Sequence, residues 1–163
     1  MGLGVHSVQQ IVCLNSQYLF YYSPVQDLVN KLKNLMWFDW HTEVRKAAAQ
    51  TLGKTGHGKE VHDDLIDKIT GAGGGSGANG GNGASEKTRV EAVAKVGHLG
   101  IMTAKLLPVF LQCFHDSYVS VRMEACIACH NLRINDAQVT EKLVFSATYD
   151  PIWKIKALAI QGQ

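Results

Sequence analysis

The sequence predicts an all-α fold: a right-handed α-solenoid of stacked antiparallel helix pairs running through residues 1–163. Three observations carry this expectation. A short frame recurs: Asp, four residues, Val or Ile, a basic residue, two residues, Ala. It reads Asp39/Val44/Arg45/Ala48, Asp116/Val121/Arg122/Ala125 and Asp150/Ile155/Lys156/Ala159, with a partial copy through Arg89, Ala92, Val96 and Gly97. The basic anchors Arg45, Arg89, Arg122 and Lys156 stand 44, 33 and 34 residues apart, so the period is about 34. A second amphipathic stretch follows three of the copies, and three prolines with few β-branched alternations leave little material for strands.

In chain order, residues 5–22 are expected as one helix. Residues 24–37 are its partner, opened by Pro24 and carrying Leu28, Leu32 and Met36 on one face. The first helices of the later pairs are expected near 41–52, 86–97, 118–131 and 151–161. Their second helices carry Val61/Leu65/Ile66/Ile69, Leu106/Phe110/Leu111/Phe114 and Val139/Leu143/Val144/Ala147, spacings that gather each set on one helical face. Asp39, Asp116 and Asp150 stand at N-cap positions, with Pro151 at a first helical position. Glycine or asparagine within 53–58, 97–100 and 131–136 is expected to stop the first helices. Gln163 falls in mid-helix where the frame expects a core residue, so the array reads as part of a longer one.

One segment breaks the pattern. Residues 70–85, TGAGGGSGANGGNGAS, hold eight glycines and almost no side chain able to pack, the composition of a flexible loop. The tract accounts for the roughly ten surplus residues between the Arg45 and Arg89 copies. It also puts Gly83 where the other copies have Asp.

The frame resembles the HEAT repeat family of armadillo-type α-solenoids, whose pattern is an Asp-(Pro) turn followed by Val-Arg-x-x-Ala in the first helix. The likeness spans about residues 24 to 163. It implies a ladder of hydrogen bonds between neighbouring repeats made by Asp39 and Arg45, Asp116 and Arg122, and Asp150 and Lys156, with Arg89 lacking its own Asp. Lys156 cannot make the forked contact of an arginine, so its rung is expected to be weaker. The resemblance further implies a non-catalytic, cytoplasmic scaffold whose concave face, lined by second helices, holds an extended segment or helix of another protein. A ciliary or cytoskeletal setting would suit it by analogy. The alternative it offers is an enzyme presenting metal ligands, as in deoxyhypusine hydroxylase or phycobilin lyases. The former repeats a His-Glu dipeptide, and this chain has none.

Several motifs invite a chemical reading. Cys126, Cys129 and His130 spell C-x-x-C-H, the pattern of c-type haem attachment. In the repeat frame, however, Cys126 aligns with Ala49 and Val93 and Cys129 with Leu52 and Val96, which are core positions where free cysteine packs as a small hydrophobe. His130 aligns with Gly53 and Gly97 near a helix end, where the dipole favours it. His57, Glu60, His62 and Asp63 are dense enough to bind a metal, but lack HExxH spacing and read as a solvated helix start. No catalytic residue, cofactor or metal ligand is expected. Trp40 and Trp153 both fall in the turn opening a first helix, where they are candidate partner contacts.

Composition excludes other classes. A formal charge of +2, evenly spread, offers no nucleic-acid surface. Four cysteines, Cys13, Cys113, Cys126 and Cys129, are too few for a disulfide framework at this length, so reduced thiols in the cytoplasm are expected. Lys31 is the first basic residue, His6 spoils a myristoylation signal, and no apolar run reaches the ~18 residues of a membrane span.

Overall fold

The computed structural model describes residues 24–71 and 84–162. The expected helix at 5–22, Cys13 and most of the glycine tract lie outside the described residues. Every regular element among the described residues is helical, and there are eight α-helices: α1 (Pro24–Phe38), α2 (Thr42–Lys54), α3 (His62–Thr70), α4 (Glu86–Leu99), α5 (Leu107–Gln112), α6 (Val119–Leu132), α7 (Ala137–Tyr149) and α8 (Trp153–Gln161). Short 3₁₀ turns, Gly58–Val61 and Cys113–His115, lead into α3 and out of α5.

The helices form two layers. In one, α2 packs on α4, α4 on α6 and α6 on α8. In the other, α3 packs on α5 and α5 on α7, while α1, α3 and α7 pack on α2, α4 and α8 respectively. The core lies between the layers. Ala48, Ala92, Ala125 and Ala159, the shared alanines of the frame, are all buried. They are joined there by Leu52, Leu65, Val93, Val96, Phe110, Val121 and Ile155.

Several boundaries differ from the sequence expectation, each for a local reason. The frame aspartates are not N-caps. Asp39, Asp116 and Asp150 each accept, through Oδ1, the backbone N–H two residues on (His41 at 2.8 Å, Tyr118 at 2.9 Å, Ile152 at 2.9 Å), folding the turn before the helix starts. The α2 cap is instead His41, whose Nδ1 accepts from Glu43 N at 3.2 Å. Pro151 lies in that turn, two residues short of α8. The frame has no Asp in the turn before α4, and Ser85 caps that helix by accepting from Thr88 N at 3.2 Å.

Nor do Gly53, Gly97 and Asn131 stop their helices. All three lie inside the last turns of α2, α4 and α6. Gly100 (φ 68°) ends α4, and Arg133 (φ 49°) takes the left-handed position after α6. Gly53 and Gly97 serve close approach instead. A Cβ on Gly53 would stand 1.9 Å from Leu99 O, and one on Gly97 would stand 2.9 Å from Ala128 Cα. In α1 the buried residues are Val29 and Met36, while Leu28 is exposed. In α7 Val144 is exposed and Ser146 is buried in its stead, because the inward stripe runs through Val139, Leu143 and Ser146.

Candidate functional site

The basic anchors of the frame all reach backward to a main-chain carbonyl. For Arg89 and Lys156 it lies in the last turn of the preceding helix, and for Arg45 and Arg122 just past the preceding helical segment. Arg45 Nη1 donates to Asp39 O (2.7 Å), Arg89 Nε to Ile69 O (3.1 Å), Arg122 Nη1 to Asp116 O (2.8 Å) and Lys156 Nζ to Thr148 O (2.9 Å). Helix C-termini present unpaired carbonyls, and a cation satisfies one while offsetting the dipole.

The arginines also reach forward, to the next copy rather than their own. Arg122 grips Asp150 with two donors, Nε to Oδ2 at 2.8 Å and Nη2 to Oδ1 at 3.4 Å. Arg89 pairs with the Asp116 carboxylate through a single contact, Nη2 to Oδ2. Burial pushes the Asp150 carboxyl up, but the Arg122 hydrogen bonds, the Ile152 N–H and the charges of Arg122 and Lys156 outweigh it. The group therefore titrates below its ordinary value. Lys156 makes the backward contact alone.

For Arg45 the next frame Asp is missing, and its guanidinium turns to Glu91 instead (Nε to Oε1, 3.1 Å). The same carboxylate accepts from Lys95 Nζ at 2.7 Å. Lys95 is almost fully buried, its ammonium 4.5 Å from the centroid of the Trp37 ring, and Lys68 covers the same ring at 4.7 Å. Burial pulls the Lys95 ammonium below the usual lysine range, against the opposing hold of Glu91. Glu91 and Lys95 escaped the sequence reading. The legible signal was Glu91 two places after Arg89 and four before Lys95. Glu124 occupies the same place after Arg122, yet Arg89 is already held by Asp116, and burial raises the Glu124 carboxyl.

Cys126 and Cys129 are 1% and 2% exposed. Burial first, then the nearby Asp150 charge for Cys126 and the neighbouring thiol for Cys129, pushes both to a pKa of about 12. Thiols held so far from ionisation are poor nucleophiles and metal ligands. His130 lies in the last turn of α6 with Nδ1 3.2 Å from Gln161 O.

The histidine-rich stretch separates into unrelated contacts. His57 Nδ1 meets Glu60 Oε1 at 2.8 Å, and that hydrogen bond lowers the Glu60 carboxyl. His62 is buried at the start of α3 with Nδ1 3.0 Å from Thr103 Oγ1, and its burial lowers its pKa. Asp63 pairs with Lys105 instead. Among the described residues no three His, Cys, Asp or Glu side chains are grouped to hold a metal ion.

Trp40 and Trp153 are 86% and 71% exposed. The His41 ring stands edge-on to Trp40 at 5.2 Å, and the Lys154 ammonium lies 5.8 Å from the Trp153 centroid. Two shallow hollows, of about 510 and 500 Å³, open at the far ends of the first helices. Gly53, Gly97 and His98 line the first, and His130, Arg133 and Gln161 the second. No helix among the described residues is long and apolar enough to cross a membrane. No known protein-family model matches the chain.

Proposed function

We propose that the chain is a stretch of HEAT-type α-solenoid and works as a non-catalytic protein–protein interaction scaffold in the cytoplasm. The observation that carries the reading is the pair of exposed indoles where first helices begin, Trp40 in the turn before α2 and Trp153 at the first position of α8. The frame buries its alanines and its Cys126/Cys129 pair, yet leaves Trp40 and Trp153 open to solvent. Exposed tryptophan has no value to the core, and at interfaces it supplies large contact area at low entropic cost. The layered packing of first on first and second on second helices supports the solenoid part of the reading, since each helix pair buries its apolar face only against its neighbours.

Proximity labelling in cells with the full-length protein tests this. The Trp40→Ala/Trp153→Ala double variant is expected to lose a specific subset of neighbours while keeping its helical circular dichroism. An identical neighbour set for variant and parent would refute the role of the indoles. Stoichiometric metal in the purified protein would move the chain to the enzyme class.

A further inference from the structure

The outward face of the second-helix layer has two unlike ends. At the α7 end three rings stand in a row: His115 to Phe145 at 5.2 Å between centroids, and Phe145 to Tyr149 at 5.1 Å. Lys142 Nζ holds His115 from behind at 3.0 Å. Phe145 and Tyr149 remain 45% and 69% exposed, with Val144 beside them at 49%. A row of rings in mutual contact is already ordered, so a partner side chain laid on it costs little further entropy.

At the α3 end three carboxylates outnumber two cations, Lys68 lying over the Trp37 ring and Lys105 paired with Asp63. Leu65 and Ile69 point into the core, and helical geometry turns Asp63, Asp64 and Asp67 away from it. Asp63 is engaged by Lys105, while Asp64 and Asp67 make no ion pair among the described residues. Between the two ends lies α5, showing Pro108 and Gln112 and no charge of its own.

We propose that this face takes an extended peptide segment of another protein that carries an aliphatic or aromatic anchor and a Lys or Arg. The anchor lies on the Phe145–Tyr149 row and the cation meets Asp64 and Asp67. Charge complementarity selects this occupant, because the carboxylate end repels an acidic peptide or a nucleic acid and a purely apolar one would leave it unanswered. The spacing follows from the layer. Helix axes in contact lie about 8–10 Å apart, so α3 and α7 are roughly 20 Å apart across α5, which an extended chain spans in about six residues. The inference rests on the scaffold reading and names the chemistry of its partner.

A random library of displayed linear peptides, panned against the 163-residue chain, tests it, with enriched peptides resynthesised and titrated by fluorescence anisotropy. Enriched peptides are expected to carry Lys or Arg about six positions from an apolar anchor. Phe145→Ala and, separately, Tyr149→Ala should each weaken binding roughly tenfold. Tyr149 is largely exposed, so its variant stays informative even if Phe145→Ala perturbs folding. Asp64→Asn/Asp67→Asn should weaken binding severalfold, less so as salt rises. Acidic binders, or binders indifferent to all these variants, overturn the inference. If such binders are lost with Trp40→Ala/Trp153→Ala, the scaffold reading survives without it. A library with no enrichment overturns both. A dimer in sedimentation that Phe145→Ala dissolves overturns the inference by making a second copy of this chain the occupant.

Discussion

The α2–α4 and α6–α8 interfaces each join the first helices of successive copies of the frame, and they solve one electrostatic problem with different acids. Between α6 and α8 the acid comes from the turn. Asp150 folds the backbone through Ile152 N–H and accepts two hydrogen bonds from Arg122, with side-chain exposures of only 13% and 6%. Between α2 and α4 the glycine tract has removed that turn Asp, and Glu91 on the helix itself takes Arg45, at exposures of 23% and 33%. Exchanging a turn acid for a helix acid separates two duties. Ser85 now starts the helix and Glu91 now holds the arginine, whereas Asp150 does the second and sets the turn. The wetter pair is the weaker, because solvent screens it more. Lys95 and Trp37, gathered behind Glu91, add packing and a buried cation–π contact, whereas on α8 the Lys154–Trp153 contact is solvent-exposed.

The sharpest way to break the α2–α4 side is through its backbone. Gly53→Ala drives a methyl into Leu99 O and must push the helices apart, with an expected loss above about 3 kcal/mol in denaturant unfolding. The matching position in α6 is His130, which is exposed, so His130→Ala should cost under about 1 kcal/mol.

Breaking the other side needs the acid. Asp150→Asn leaves Arg122 half-satisfied in a buried pair and is expected to cost about 2–3 kcal/mol at neutral pH. The pH dependence identifies the cause. The folded-state pKa of Asp150 is depressed, so its contribution is fully present above the unfolded value near 4 and is lost as pH falls through the lower folded value. The parent should therefore lose stability on acidification below about pH 4, and the Asn variant should lose less over that range.

Glu91→Gln should cost about 1 kcal/mol, less than Asp150→Asn, because Glu91 is a third exposed. Equal losses at the two acids would end the distinction between them. The Cys126→Ala/Cys129→Val double variant, built from residues already found in that place in other copies, should cost no more than about 1 kcal/mol. Glu124→Leu goes the other way. Leu158 fills that place in the next copy, and removing a half-buried carboxylate whose arginine is engaged elsewhere should raise stability by about 0.5 kcal/mol.

What the sequence determined by itself was local and periodic. The helical spacing of apolar residues fixed which segments are helices, because each amphipathic stripe is a property of its own few turns. The four-copy frame likewise placed Ala48, Ala92, Ala125 and Ala159 in the core, along with Cys126 and Cys129. The tertiary structure decided which charge meets which. A frame Asp and Arg are neighbours in the sequence pattern, but a forward-reaching guanidinium meets the next copy's acid, whose identity depends on how the helices stack. Glu91 and Glu124 hold the same place in the frame. One is bound between Arg45 and Lys95, and the other is left to burial, because Arg89 finds Asp116 first. The helix stops were decided in the same way. Gly53 and Gly97 look like terminators as letters, but the contact distance between α2, α4 and α6 requires them to be small. The row of His115, Phe145 and Tyr149 exists only because the turn after α5 is laid beside α7, residues roughly thirty apart along a chain whose repeat period is about 34.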